Sequence, residues 1–209
     1  DYTSPRFTTA ALLAALDYRR RTGNGQYLDF SQAEAATHYL TPGILEYQTT
    51  GSMPTRTGNA DPNMIPHSVY PCSGHDQWCA IVCENDDQWK SLCLEMRRQD
   101  LADLTLQERF EQVEAIDEII ANWTQIQSAG GLQIRLQRHG VAAHMVQDTG
   151  HCMNDPQLVH RDHFPWAPHP EARQVMIDGI PHRLSRSRGG FDWAGPTYGQ
   201  HSMEVLEGI

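Results

Sequence analysis

Nowhere in the chain do about 18 apolar residues follow one another, so the sequence offers no membrane-spanning helix. Basic residues are scarce: 16 Lys and Arg stand against 26 Asp and Glu, a formal charge of −10 at pH 7. So acidic a balance lacks the basic face that a phosphate backbone needs, which excludes nucleic acid as a general partner. No C-x-x-C pair occurs, and the five cysteines (Cys72, Cys79, Cys83, Cys93 and Cys152) are odd in number, which argues against a disulfide scaffold. Four of them sit in apolar runs, as free buried thiols do, and imply a reducing, cytoplasmic setting. The N-terminus lacks the charged start and apolar stretch of a signal peptide. Its first residue is Asp1 rather than methionine, so the chain is expected to be a piece of something longer. Missing too are the G-x-S-x-G elbow of serine hydrolases and any local Cys/His signature.

What is present is enough to bury a core in one domain or two small ones, with 209 residues. Apolar residues at helical spacing predict a helix from Thr8 to Arg21, ending in Arg19, Arg20 and Arg21 where cations meet the negative end of the helix dipole. Gly23 fits the left-handed position that closes a helix. Tyr27–Phe30 reads as a short strand, and Ser31 as the cap of a helix running from Gln32 to about Gln48. The order helix, glycine turn, strand is the reverse of a phosphate-binding loop, and Thr22-Gly23-Asn24-Gly25-Gln26 has neither the P-loop lysine nor the dinucleotide-binding spacing. It reads as a turn.

Gly51 to Pro71 carries four prolines and reads as a long irregular segment, a kind that is often functional inside a compact domain. Val69–Cys72 and Trp78–Cys83 form a predicted hairpin around Gly74. Asn85 caps a helix bearing Trp89, Leu92 and Cys93, and the acidic pair Asp86-Asp87 stabilises its dipole. Thr105-x-x-Glu108 is a capping-box pattern, and Ile116, Ile119, Ile120 and Trp123 form one helical stripe. A short helix from Gly131 to Arg138 is closed by Gly140. The run from Val141 to Val146 reads as a strand, Asp155–Phe164 as a helical turn, and Gln174–Asp178 with Pro181–Ser185 as a late strand pair. Mixed elements without a repeat indicate α/β or α+β architecture.

Histidine is abundant, with 11 residues, and His160 and His163 share a helical face. A zinc site needs further ligands at converging spacing, and none are evident, so no metal is expected.

From Asp1 through the Thr22–Gln26 turn into Glu34-Ala35, the chain resembles the class III CoA-transferases, a superfamily that includes formyl-CoA transferase, carnitine CoA-transferases and alpha-methylacyl-CoA racemase. The matching residues are Asp1, Leu13-Ala14-Ala15-Leu16, Arg19, Thr22-Gly23-Asn24-Gly25-Gln26 and Glu34-Ala35. Further matches follow in family order, in the segments Val69–Trp89, His139–Val146, Asp155–Phe164 and Gly199–Leu206. The resemblance implies an α/β fold: the C-terminal half of such an enzyme, with a small α/β domain and flanking segments that pack on a Rossmann-like large domain not contained here. The expected divisions are 1–50, a helix-turn-strand-helix segment carrying the catalytic aspartate; 51–146, the small domain; and 147–209, a segment returning to the large domain.

Matched by position, Asp1 falls on the family's nucleophile. A carboxylate there attacks an acyl-CoA thioester to give a mixed anhydride, which CoA thiolate converts into an aspartyl-CoA thioester that an acceptor acid then takes over. Aspartate is suited to this, being charged at neutral pH. The resemblance thus implies acyl-CoA and carboxylic acid as substrates, no bound cofactor, an interlocked homodimer for the full-length protein, and a fragment inactive alone. A racemase or epimerase of the same superfamily is the alternative enzyme, and a non-catalytic half that assembles with a complete partner is the other; the 22 steps from Asp1 to Gly23 fit the transferase register. Pro5 and Arg6 stand where many members have a glycine, and Gly199-Gln200-His201-Ser202-Met203-Glu204 departs from the usual G-E-H-T-D-E. The loop that covers the aspartate in formyl-CoA transferase is glycine-rich, whereas Gly58–Ser68 is not, which points away from oxalate or formate. In that loop Asn59, Asn63 and His67 are the candidates for contacting the acyl group or the acceptor.

Overall fold

Proline and glycine punctuate the first 58 residues and decide where their helices start and stop. A computed structural model of the chain describes residues 2–187 and 189–208. It divides into two compact units, one up to Gly58 and one from Asn59 onwards. In the first unit, helix α1 (Ser4–Thr22) begins with Pro5 in its first turn, where a missing N–H is harmless. It ends at Gly23, whose φ of 78° lets its N–H bond back to the Arg19 carbonyl at 2.8 Å. Asp17 pairs with Arg20 and Arg21 along its exposed face.

Helix α2 (Gln32–Thr37) is capped by the Ser31 hydroxyl, which accepts the Glu34 N–H at 3.2 Å. A single turn of 3-10 helix follows at His38–Leu40, then helix α3 (Thr41–Thr50), closed by Gly51 at φ 74°. Phe7 stacks on His38 with ring centroids 5.2 Å apart.

Three expectations need correction in this unit. Helix α1 starts at Ser4, four residues before Thr8, because Pro5 presets a helical φ. Tyr27–Phe30 is not a strand: no neighbouring strand among the described residues of this unit pairs with it. The helix predicted from Gln32 to Gln48 is broken in two, since Pro42 belongs at the start of a helix rather than inside one.

The second unit is built on a three-stranded antiparallel sheet ordered β1-β2-β3, from β1 (His67–Pro71), β2 (Trp78–Val82) and β3 (Ala142–Met145). In register, Tyr70 faces Cys79, and Ile81 faces Ser68 on one side and Ala143 on the other. Alternation along β2 buries Cys79 and Ile81, both without exposed surface.

Four helices complete the layer: α4 (Asp86–Met96), α5 (Leu106–Glu111), α6 (Val113–Thr124) and α7 (Ala129–Arg138). They bring Trp89, Leu92, Ile116, Ile120, Leu132 and Leu136 into one core with the sheet. Each such side chain, removed from water, contributes roughly 1.5–3 kcal/mol. The caps are local: Asn85 accepts the Gln88 N–H at 3.0 Å, and Thr105 with Glu108 forms a reciprocal capping box. Thr124, buried in α6, donates its hydroxyl to the Pro71 carbonyl at 2.7 Å and so fastens the helix to the end of β1.

Strand β3 is an edge, and α7 covers it. Gln137 donates to the Ala143 carbonyl at 2.8 Å, and Gln133 accepts the Met145 N–H at 2.9 Å, so two of the ladder groups that no strand pairs are satisfied by glutamines. Burial pushes the thiols of Cys79, Cys83 and Cys93 up to about 12, which keeps them protonated and inert.

Beyond the sheet come short helices α8 (Thr149–Met153) and α9 (Pro156–His160), capped by Asp148 and Asp155. A separate hairpin pairs β4 (Trp166–His169) with β5 (Arg173–Met176), and helix α10 (Ser202–Glu207) ends the described chain. The predicted late pair is therefore half corrected: the partner of Arg173–Met176 is Trp166–His169 across a tight turn, while Pro181–Ser185 stays irregular. No described helix is long and apolar enough to cross a membrane.

Candidate functional site

The irregular segment entering β1 carries three of the residues singled out by sequence. Its last part, Asn59 to His67, leaves and returns to one spot. The Asn59 carbonyl and the His67 Nδ1 are 2.6 Å apart, and since a carbonyl has no proton to give, Nδ1 is the donor. In the neutral ring this tautomer leaves Nε2 as an acceptor. Inside the loop the Asp61 carboxylate accepts the Asn63 N–H at 2.8 Å, an Asx turn that folds the tip. Asn59 and Asn63 are exposed, His67 is half-buried, and among the described residues the two side-chain amides make no hydrogen bond within the protein. A loop so arranged presents two amides that can donate to a carboxylate or thioester oxygen, and one imidazole nitrogen that accepts from a hydroxyl or N–H.

The loop is tied down where it joins the sheet. Ile65 and Pro66 are buried, joined by a cis peptide bond. The Pro66 carbonyl accepts the Cys83 N–H at 3.0 Å, and the Ile65 carbonyl accepts from Arg109 Nη1 at 2.9 Å. Arg109 itself is only 1% exposed; it pairs with Asp86 in the first turn of α4 and lies over the Trp89 ring at 5.3 Å. Sequence reasoning gave Asp86 a dipole role alone and passed over Arg109. Their pairing joins positions 23 apart, and Arg109 to Ile65 spans 44, so no local pattern signals either bond.

Asp1, the predicted nucleophile, lies outside the described residues. A cavity of about 580 Å³ belongs to the segment after α9 and is lined by Arg161, Trp166, His182, Arg183 and Phe191. Its arginines donate to backbone carbonyls, Arg161 to Pro181 at 2.8 Å and Arg183 to His160 at 3.4 Å, and so hold that segment together. Among the described residues no three His, Cys, Asp or Glu side chains gather as a metal site.

The sequence profile of CoA-transferase family III matches residues 1–202. Among similar proteins, the succinyl-CoA–D-citramalate CoA-transferase of Chloroflexus aurantiacus is 32% identical over 210 residues, covering 99% of this chain and 52% of that protein. The succinyl-CoA:mesaconate CoA-transferase of Haloarcula hispanica is 29% identical, covering 94% of this chain and 50% of its own. The crystal structure of a CaiB/BaiF family protein from Brucella suis superposes with a TM-score of 0.86 at 24% identity, over 99% of this chain and 54% of that one. The chain thus spans about half the length of these relatives. It carries, in order, the family's features over nearly all of its residues, and it belongs to CoA-transferase family III.

Proposed function

We propose that the full-length protein carrying this chain moves CoA from an acyl-CoA thioester to a free carboxylic acid, with Asp1 as the covalent carrier. The observation that supports this most is the continuous family match over residues 1–202. In the first half-reaction the Asp1 carboxylate attacks the thioester carbonyl, the C–S bond breaks, and CoA thiolate leaves an acyl-aspartyl anhydride. The thiolate then attacks the aspartyl carbonyl, releasing the donor acid as its carboxylate and leaving aspartyl-CoA. The acceptor carboxylate repeats both steps in reverse, so one thioester replaces another and no net proton is consumed.

Two relatives are named for succinyl-CoA with D-citramalate or mesaconate, which supports succinyl-CoA as donor and a short dicarboxylic acid as acceptor. The loop amides of Asn59 and Asn63 and the Nε2 of His67 contact the acyl group or the acceptor. Most contacts to CoA come from the large domain of the intact enzyme, and activity belongs to the full-length protein as an interlocked homodimer. The apolar faces left exposed on α1 and α3 suit such assembly, and the free cysteines suit a reducing, cytoplasmic compartment.

The test is turnover by the full-length protein with succinyl-CoA and a panel of citramalate, mesaconate, glutarate and malate, with each new thioester identified by mass. At least one acid accepts CoA, and Asp1→Ala lowers the rate by about 10³-fold or more. Full activity in that variant would end the covalent reading. Exchange of the α-proton of a branched acyl-CoA in heavy water, without transfer to any acid, would replace it with racemase chemistry.

A further inference from the structure

A guanidinium with 1% of its surface exposed is a costly occupant of a small core, because a methionine of similar length would fill the space without desolvating a charge. Arg109 is held there by three elements at once. Its Nη1 donates to the Ile65 carbonyl, its Nη2 pairs with Asp86, and its plane lies over Trp89. Of these partners the Ile65 carbonyl has the fewest alternatives. The sheet ladder begins only at His67, the next residue is a proline with no N–H, and Ile65 is 5% exposed, so water has little access. Arg109 therefore supplies the hydrogen bond that the backbone has no means of making at the point where the loop enters the sheet.

Consecutive residues are then secured in three different ways: the Ile65 carbonyl by Arg109, the Pro66 carbonyl by Cys83, and the His67 ring by the Asn59 carbonyl. The tip between them carries the exposed Asn63, with Asp61 and Met64 half-buried on either side. Removing the Arg109 bond leaves the Ile65 carbonyl without a partner and the loop base held only by the Pro66–Cys83 bond and the burial of Ile65, because the Asx turn and the His67 closure are internal to the loop and hold nothing to the core.

We propose that Arg109 is a positioning residue: it fixes the Asn59–His67 loop so that Asn59, Asn63 and His67 meet the acceptor acid in one orientation. This rests on the reading that the loop contacts the acyl group or the acceptor. Arg109 acts through the Ile65 backbone, and Asp86 and Trp89 orient its guanidinium from the side of α4.

The experiment uses the full-length protein and three variants: Arg109→Met, Arg109→Lys, and His67→Phe. The last opens the loop neck without touching the buried pair, and Arg109→Lys, which keeps the charge, keeps the test decisive should Arg109→Met fail to fold. Amide hydrogen exchange is measured by mass for peptides over residues 59–66 and, as a control, over α4, α6 and β2. In Arg109→Met the loop exchanges on the order of tenfold faster while the control peptides stay near wild type. Its KM for the acceptor acid rises about tenfold, with a smaller change in kcat, because a misplaced loop weakens positioning rather than the aspartate's chemistry. Arg109→Lys, which keeps the charge and one donor, recovers part of both effects, and His67→Phe raises loop exchange in the same direction.

Unchanged loop exchange in Arg109→Met with an intact core overturns the proposal, as does a rise in exchange spread equally over loop and core, which marks a purely structural role. Faster loop exchange with unaltered KM overturns the substrate role of the loop. Should the wild-type protein transfer CoA to no acid, the underlying functional reading fails, and the exchange rates still decide whether Arg109 holds the loop.

Discussion

The two units of the chain use similar local chemistry and reach opposite outcomes. From Asn59 onwards, helices α4, α6 and α7 press Trp89, Leu92, Ile120 and Leu136 against the sheet until almost no surface remains. Up to Gly58, three helices are formed, with Ser31 capping α2 and Gly23 and Gly51 closing α1 and α3, yet among the described residues only Ser4 and Ala35 are buried. Leu13 in α1 is 62% exposed, and an apolar cleft of about 470 Å³ opens between Tyr39, Leu40, Ile44, Tyr47 and Met53. Caps and propensity make a helix; a partner surface makes it stable. The first unit therefore leaves apolar faces open, and the second carries its own core.

The sharpest way to break this comparison is to truncate one leucine in each unit. Leu92→Ala removes a fully buried side chain and lowers the stability of the second unit by about 2–5 kcal/mol. Urea unfolding followed by tryptophan fluorescence reads this directly, because all five tryptophans lie from Trp78 onwards. Leu13→Ala in this chain shifts the helical circular dichroism transition by no more than about 0.5 kcal/mol. Equal losses at both positions would contradict the contrast.

A smaller effect comes from Thr124→Val, which leaves the Pro71 carbonyl without its 2.7 Å donor at the end of β1. The expected loss is about 1–3 kcal/mol, measured in the same urea titration. Smaller again is Asn85→Ala, where the lost cap of α4 costs about 1 kcal/mol.

The last sharpening is by pH. The backbone N–H of Thr105 holds the Glu108 carboxyl below its usual range, and a hydrogen bond from the Gln147 side chain does the same for Asp155. Folded values below unfolded ones mean that these groups stabilise fully above about pH 4.5 and lose that contribution as pH falls through the folded values. Glu108→Gln and Asp155→Asn therefore flatten the acid limb of a stability-against-pH curve and leave its neutral region with the same slope. An acid limb as steep as that of the parent chain would show that these bonds do not set it.

The same distinction governs what could be read from sequence. Gly23, Ser31, Asn85, the Thr105–Glu108 box and Gly140 were all legible, since each cap is completed within four residues of itself. The hairpin of β1 and β2 was legible too, its partners being joined by a short turn. Tyr27–Phe30 had the composition of a strand, but a strand needs a neighbour, and composition does not reveal whether one exists. The break at Pro42 was visible in principle and lost to the longer apolar pattern around it. The late strand pair failed because the pairing partner lay upstream, at Trp166–His169, on the far side of a turn.

At the candidate site the loop residues could be named from resemblance, whereas the bonds that hold them could not. The Asn59 carbonyl on the His67 ring closes eight residues, and the Ile65 carbonyl on Arg109 closes 44. Such contacts follow from how the sheet and α5 meet, which only the fold makes apparent. The role of Asp1 rests likewise on family position, supported by an ordered match rather than by surrounding geometry.

That role is the central claim, and one measurement addresses it directly. The full-length protein is incubated with succinyl-CoA, quenched with hydroxylamine and digested, and the peptide containing Asp1 is weighed. The account predicts a hydroxamate at Asp1 that forms only with the thioester present and disappears in Asp1→Asn. An unmodified Asp1 under conditions where CoA transfer is turning over would contradict it.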